Sequence, residues 1–322
     1  NEFDRIATYF APLAADFPGA YGLTDDAAVL SPAAGTELVV TTDTIVAGIH
    51  YIGDEAPGMV AAKLLRVNLS DLAAKGARPL AYTLNVAFPA ALDDDWVAAF
   101  AAGLAAEQAE FGITLIGGDS VSTTGPVTLT LTGFGEVPAG EAILRNGARP
   151  GDTVFVSGTI GDGALGLLAA RGALSSLSDA HREMLIDRYR RPQPRSVLGP
   201  RLRGLAHAAA DISDGLVADL EHITAASGVG ARIDAGHVPV SEAAAAVLRG
   251  DPSMLSNVLT GGDDYELVFT VPERALAAVN DLARESGLPL TAIGGIEEGE
   301  GVSVRDSAGN PVPLTRLGYS HG

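Results

Sequence analysis

The stretch "DISDGL" carries two carboxylates, Asp211 and Asp214, three positions apart at the end of the apolar run "AAADIS", and a helical pattern follows Gly215. Acids recur in similar settings along the chain: Asp25 and Asp26 in "LTDDAAVL", Asp43 in "VVTTDTIV", Asp71 in "NLSDLAAKGA", Asp119 in "LIGGDS", and Asp263 and Asp264 in "TGGDDYELVF". Singly, each has a bland reading, because Asp and Ser favour turns and helix N-caps. Together, carboxylates at strand exits flanked by apolar residues suggest a shared acidic centre. Two unit charges about 4 Å apart repel by about 4 kcal/mol at an effective dielectric of ~20, so such a centre calls for cations. Oxygen donors, with neither Cys nor an HExxH helix, point to Mg²⁺ or another hard ion that completes its shell with waters and phosphates. That chemistry suggests a nucleotide.

The common nucleotide signatures are absent or weak. Lys63 and Lys75 are the only lysines, followed by Leu and Gly, so there is no GK[ST] P-loop and no protein-kinase β3 lysine in its usual setting. "GDGALG" (161 to 166) after "TVFVSG" matches GxGxxG. A dinucleotide reading leaves the acids elsewhere unexplained; the alternatives are tight strand-to-helix packing and a phosphate-facing helix N-terminus. With so few lysines, metal ions, backbone amides and an arginine such as Arg145 must neutralise phosphate charge.

These residues need elements to hold them. "TELVVTTD" (36 to 43), "PLAYTLNVAFP" (79 to 89), "ITLIGGD" (113 to 119) and "PVTLTLTGFGEV" (126 to 137) read as strands from β-branched content and short length. Residues 57 to 77 and 93 to 112 carry helical spacing, with Pro or Asp at the start and Gly near the end. After the loop 138 to 152 a second set follows: "TVFVSG", "ALGLLAARGA", "DAHREMLIDRYR", "AAADIS", "DGLVADLEHITAAS", "YELVFTV", "ERALAAVNDLARES" and "LTAIGGI". The expected fold class is α/β (α+β) in two domains, 1–140 and 141–322. "RRPQPRSVLGP" reads as a Pro-rich connector whose Arg191 and Arg195 are solvated. Tyr265 reads as core rather than ligand.

The 322 residues are 47% hydrophobic, enough to bury a sizeable core in two domains. The net charge of -19 argues against nucleic acid and anionic membranes as partners, since no basic stripe is available to displace phosphate counterions. No run of about 18 apolar residues appears, and "NEFDRIATYF" lacks the basic and apolar regions of a signal peptide; the expected home is cytoplasmic. The absence of cysteine excludes disulfides, thiolate metal sites and Cys nucleophiles.

The chain resembles the thiamine-monophosphate kinase family, of the superfamily that includes aminoimidazole ribonucleotide synthetase and selenophosphate synthetase. The segments that carry the resemblance are "LTDDAAVL", "VVTTDTIVAGIHY", "VNLSDLAAKGARP", "LIGGDS", "LRNGARPGDTVFVSGTIGDGALGL", "RPQPR", "DISDGLVADL", "GGDDYELVFTVP" and "GYSH", in the family's order from about residue 20 to 321. The resemblance implies a two-domain synthetase-like fold and transfer of the ATP γ-phosphoryl group to thiamine monophosphate, with several Mg²⁺ ions. It implies an N-terminal domain that binds ATP and Mg²⁺ and dimerises, and a C-terminal domain that helps close the site. By position, Asp26, Thr41, Thr42, Asp43, Asp71, Asp119, Asp211 and Asp214 resemble metal ligands. Gly118, Asp119, Arg145 and Ser213 resemble ATP contacts. His50 and Asp263 resemble residues that hold thiamine monophosphate. Asp263 stands where relatives often have Glu. Gly322 stands where the family commonly has a large aromatic after His, which makes Tyr319 the candidate to stack on the thiamine rings. No residue is expected to act as an obligatory base, since the acceptor is already a phosphate oxyanion. The other readings are a different ATP-dependent member of the superfamily and a non-catalytic acidic metal-binding protein.

Overall fold

The computed structural model describes residues 2–314 and 318–319, divided into two compact units. The first comprises residues 1–72 and 77–140, the second 73–76 and 141–322.

In the first unit, a short helix α1 (Glu2–Arg5) opens an irregular helical segment that runs to Leu23. Four strands follow, β1 (Thr36–Val46), β2 (Arg78–Pro89), β3 (Thr114–Thr123) and β4 (Thr128–Pro138), with helices α2 (Pro57–Ala74) and α3 (Asp94–Phe111) between them. The sheet order is β1-β4-β2-β3; β4 is antiparallel to both its neighbours, and β2 and β3 are parallel. Tyr82, Leu84, Val86 and Phe88 alternate along β2 and pack with Leu129, Leu131 and the helices into one core. Every residue of α2 from Val60 to Ser70 is buried, the pattern of a helix enclosed on all sides. Arg66 on that helix is buried because its guanidinium donates to Glu107 at 2.7 and 3.2 Å and to Glu110 at 2.8 Å. Helix α3 starts where Asp93 accepts the Trp96 amide at 2.8 Å, and stops at Gly112 in a left-handed conformation.

The second unit holds a six-stranded sheet of order β10-β7-β9-β5-β8-β6. Its strands are β5 (Thr153–Ser157), β6 (Ala208–Asp211), β7 (Gly230–Asp234), β8 (Leu267–Val271), β9 (Leu290–Glu297) and β10 (Gly301–Arg305). Only β10 and β7 pair in parallel. Its helices are α4 (Asp162–Ala170), α5 (Asp179–Arg190), α6 (Leu216–Ser227), α7 (Glu242–Gly250), α8 (Leu255–Thr260) and α9 (Leu276–Ser286). Val154, Val156, Ala208, Ala210 and Val268 face a core shared with residues of α4 to α8; Phe155, Ala209, Leu267, Phe269 and Val271 face one shared with α9. With both faces covered, β6 and β8 are buried at every position and read as unbroken apolar runs. Phe155 and Phe269, directly opposed across β5 and β8, stack with ring centroids 5.6 Å apart.

Candidate active site

In the first unit, the period of two along β1 sets Thr41 and Asp43 on one face and Thr42 on the other. The Thr41 hydroxyl donates to Asp71 of α2, and Asp43 lies opposite Leu131, a core residue. Those three residues therefore sit on the helix-covered side. The Thr42 hydroxyl is engaged on the opposite side, donating to the Leu131 carbonyl at 3.1 Å and accepting from Thr132. Thr42 can turn only its backbone toward Asp43's side. Asp119 pairs in register with Asn85, and through it with Thr130 and Thr44, one residue out of phase with Asp43.

Asp119 joins a different group. Asp25, Asp26, Gly118, Asp119 and Ser120 line a pocket of about 430 Å³ whose other walls include Phe10, Leu23, Ile116 and Phe134. An apolar cavity whose lining includes the carboxylates of Asp25, Asp26 and Asp119 suits a ligand with an apolar part and an anionic part, once cations are present. The two acids at 25 and 26 are exposed, and the Asp25 carboxylate accepts the Asp26 amide at 2.8 Å. His50 closes the turn after β1: its Nδ1 accepts the Val46 amide at 3.1 Å, so the neutral ring carries its proton on Nε2.

In the second unit the turn after β6 is built around one buried carboxylate. Asp219, in the first turn of α6, accepts the amides of Ser213 and Asp214 at 3.0 Å and of Gly215 at 3.2 Å through a single oxygen, Oδ2. Gly215 has φ +119°, and a Cβ there would lie 2.7 Å from the Thr260 carbonyl carbon, so the turn requires glycine. Asp211 is buried at the strand end while Ser213 and Asp214 are half-buried. The Ser213 carbonyl accepts from the Asp263 amide, and the Asp214 carbonyl from the Tyr319 amide, both at 2.9 Å. This unit thus brings Ser213, Asp214, Asp263 and Tyr319 into one cluster. Oxygens of Asp214 and Asp219 and a ring nitrogen of His222 lie within 4.8 Å of one another. Arg145 is exposed, and its positive charge acts on Asp219.

Burial pushes the Asp219 carboxyl up to about 7, against the pull of the amides and of Arg145 and reinforced by the negative charge of Asp214. A folded carboxyl with a raised pKa keeps its proton where the unfolded chain has released it. Between the unfolded value near 4 and about 7 the native state binds more protons, so stability falls as pH rises through that window. In chelator, the free energy of unfolding is expected to decline from pH 4 to pH 7, and Asp219→Asn to flatten the decline; denaturant titrations at several pH values measure it. An unchanged slope in the variant would remove Asp219 as the cause.

The glycines of "GDGALG" serve packing. A Cβ on Gly163 would lie 2.2 Å from the Asp263 carbonyl oxygen, and one on Gly166 2.1 Å from that of Leu185. The amides of Gly161 and Gly163 donate to Asp264 at 2.7 and 2.9 Å, so this loop receives a carboxylate of the chain itself. Arg195 is not solvated: it forms a two-pronged pair with buried Glu266, which also accepts from Arg188 at 2.8 Å and Ser157 at 2.6 Å. Tyr265 is half-buried at φ +51°, at a turn rather than in the core. Asp219 and Glu266 were not singled out as functional from sequence, their only signal being an acid set among apolar neighbours in "LVADLEHI" and "DDYELVF". Asp264, counted among the acids of the expected shared centre, instead binds the amides of Gly161 and Gly163. Ser320, His321 and Gly322 lie outside the described residues.

The acids expected at strand exits are placed differently: Asp43 and Asp119 lie within β1 and β3 and Asp71 on α2, while Asp211 does end β6. The division into two α/β units agrees with the family models that match the chain. Residues 24–137 match the N-terminal domain of AIR synthase related proteins and residues 149–307 their C-terminal domain, which defines the class. A thiamine-monophosphate kinase of Caulobacter vibrioides is 46% identical over 100% of this chain and 91% of its own length. The crystal structure of thiamine-monophosphate kinase from Stenotrophomonas maltophilia is 45% identical, with a TM-score of 0.81 over 88% of this chain and 89% of that one. The structure of AaThiL complexed with AMPPCP and TMP is 30% identical, with a TM-score of 0.80 over 94% and 97%. The chain belongs to the thiamine-monophosphate kinase family.

Proposed function

We propose that the chain transfers the γ-phosphoryl group of ATP to thiamine monophosphate, giving thiamine diphosphate and ADP, with its carboxylates holding Mg²⁺. It is an ATP-dependent phosphotransferase, as its family membership over the whole length requires. The observation that carries the metal part of the reading is the turn after β6. There one carboxylate, Asp219, is consumed by three amides, while Asp214 beside it is left half-buried on the turn.

The donor set fits a hard divalent cation: carboxylate and threonine oxygens, several of them solvent-accessible, and no thiolate. Asp26, Thr41, Thr42, Asp43, Asp71, Asp119, Asp211 and Asp214 are assigned to Mg²⁺, with Thr42 acting through its carbonyl. Held by these residues, Mg²⁺ would supply the positive charge that offsets the phosphates. Gly118, Asp119, Arg145 and Ser213 are assigned to ATP, Arg145 as a guanidinium for phosphate. His50, Asp263 and Tyr319 are assigned to thiamine monophosphate: Asp263 offers charge to the cationic thiazolium, and Tyr319 a ring for stacking. The acceptor phosphate is an oxyanion at neutral pH, so the residues need to align two anions and stabilise charge, and no side chain has to remove a proton.

The outer face of the first sheet supports a homodimer. Leu38 and Val40 are exposed there on edge strand β1 beside Thr42 and Thr44, and Val121 is exposed on the opposite edge strand, β3. No described helix is long and apolar enough to cross a membrane. A cytoplasmic home is proposed from the co-substrate, ATP, which is made and used inside the cell.

The test is product formation from ATP and thiamine monophosphate with Mg²⁺, with thiamine as a competing acceptor. ADP and thiamine diphosphate are expected in equal amounts, with thiamine left unphosphorylated. ATP consumption without thiamine diphosphate would assign the chain to another acceptor.

A further inference from the structure

The segment from Gly261 to Glu266 alternates. Asp263 and Tyr265 are half-buried and have φ of +70° and +51°, in the left-handed region that non-glycine residues avoid. Asp264 and Glu266, which alternate with them, are 2% and 0% exposed. Both buried acids are fully engaged: Asp264 with the amides of Gly161 and Gly163, Glu266 with Arg188, Arg195 and the Ser157 hydroxyl. The Ser157 hydroxyl in turn accepts the Leu267 amide at 2.9 Å. Between these anchors the backbone of the segment grips the metal-side turn. Tyr265 N–H donates to Ile212 O at 2.8 Å, Ile212 N–H to Glu266 O at 2.8 Å, and Asp263 N–H to Ser213 O at 2.9 Å.

Two strained residues in so short a run persist only when their surroundings over-determine them. Here the surroundings are the two buried carboxylates. We infer that Asp264 is a positioning residue: tied to the α4 entry loop, it forces Asp263 outward beside Ser213 and Asp214 and so sets the geometry of the substrate side of the site. Glu266 is the second anchor. This assignment rests on the reading of Asp263 as a holder of thiamine monophosphate. It concerns residues that touch neither nucleotide nor acceptor and act through the conformation of those that do. An acid that merely filled the core would stabilise the fold without needing strained neighbours on both sides of it.

The experiment is a cycle in the full-length protein with Asp264→Asn, Asp263→Ala and the double variant, reading KM for thiamine monophosphate, kcat and the thermal midpoint. Asn keeps the shape but offers an NH₂ to one of the two amides, so the loop must shift. Asp264→Asn is expected to raise KM for thiamine monophosphate about tenfold while the protein stays folded at the assay temperature, and Asp264→Glu not to restore it. The double variant is expected to lie within about twofold of Asp263→Ala alone, since the second change removes a geometry that the first has already made useless. A KM unchanged by Asp264→Asn, or losses that simply multiply, would overturn the inference while leaving the substrate reading intact. An Asp263→Ala variant with unaltered KM would overturn the substrate reading and the inference with it. Should Asp264→Asn fail to fold, Ser157→Ala loosens Glu266 without removing a charge. It is expected to raise the same KM severalfold, and an unchanged KM there counts against the inference equally.

Discussion

Asp43→Asn is expected to lower turnover by about a thousandfold while leaving the fold intact. Asn keeps the shape and one oxygen of the aspartate but removes its charge. A carboxylate about 4 Å from a cation contributes roughly 4 kcal/mol per unit charge at an effective dielectric of ~20, and about 1.4 kcal/mol is a factor of ten in rate. That interaction matters most as charge builds on the transferring phosphoryl group, so it weighs on kcat more than on binding. Asp43 sits half-buried on β1, on the side where Thr41 meets Asp71. Because Asn occupies the same volume on β1, the thermal midpoint without Mg²⁺ should stay close to that of the parent, which separates loss of function from loss of fold. Steady-state product assays over a range of Mg²⁺, with melting curves in chelator, measure both. Partial recovery at high Mg²⁺ fits the metal role. Turnover within tenfold of the parent at ordinary Mg²⁺ would remove Asp43 from the metal set.

The elements that carry these acids were legible because local signals agree with tertiary packing. Residues 93 to 112 read as a helix from an Asp at one end and a Gly at the other; Asp93 is the observed N-cap and Gly112 the left-handed stop. "DAHREMLIDRYR" coincides with α5, opened by Ser178. The strands of the first sheet show their alternation since one face packs on helices while the other is only partly covered, by Ala14, Phe17, Ala20 and Leu23 of the N-terminal segment against Ala81, Ile116 and Phe134. What escaped is non-local. Strands β7 and β10 are five residues each and pair with one another across about seventy residues of chain, with no hairpin turn to announce them. Helix α7 buries Ala243, Ala244 and Val247, side chains too small to stand out from the alanines on its exposed side.

The candidate site divides along the same line. Its outward acids stand out in the sequence through their recurrence and through the resemblance their order carries, since each alone also has a turn or cap reading. The carboxylates that hold the turns do not. Asp219 lies on a helix whose buried side is apolar apart from Thr224, and its partners are amides, which every sequence has. Asp264 is adjacent in sequence to Asp263 and differs only in burial. Arg195 looked solvated beside its prolines because the acid that neutralises it is seventy-one residues away.

Glu266→Gln turns that last pairing into the second large effect, this time on stability. Glu266 is fully buried and faces two guanidiniums, Arg188 with a side chain 9% exposed and Arg195 with one 14% exposed. The amide occupies the same volume, so no cavity opens and packing is preserved. Its NH₂, however, is directed at groups that are donors only; Arg195 loses its buried countercharge and Arg188 keeps only Asp162, 4.0 Å away. Replacing the whole cluster by apolar residues could be neutral; removing one partner is not, and breaking a buried pair costs about 3–5 kcal/mol. The Ser157 hydroxyl, which also accepts the Leu267 amide at the start of β8, exchanges a charged acceptor for a neutral one. For a unit of this size each kcal/mol corresponds to roughly 2–4 °C, so the melting midpoint of the second unit is expected to fall by about 10 °C. Differential scanning calorimetry of the full chain resolves whether one transition moves and the other stays. Arg195→Met in the Glu266→Gln background should recover part of the loss, because it removes one of the stranded charges. A midpoint within about 2 °C of the parent in Glu266→Gln would mean that water reaches the two guanidiniums and that the cluster is not a closed one.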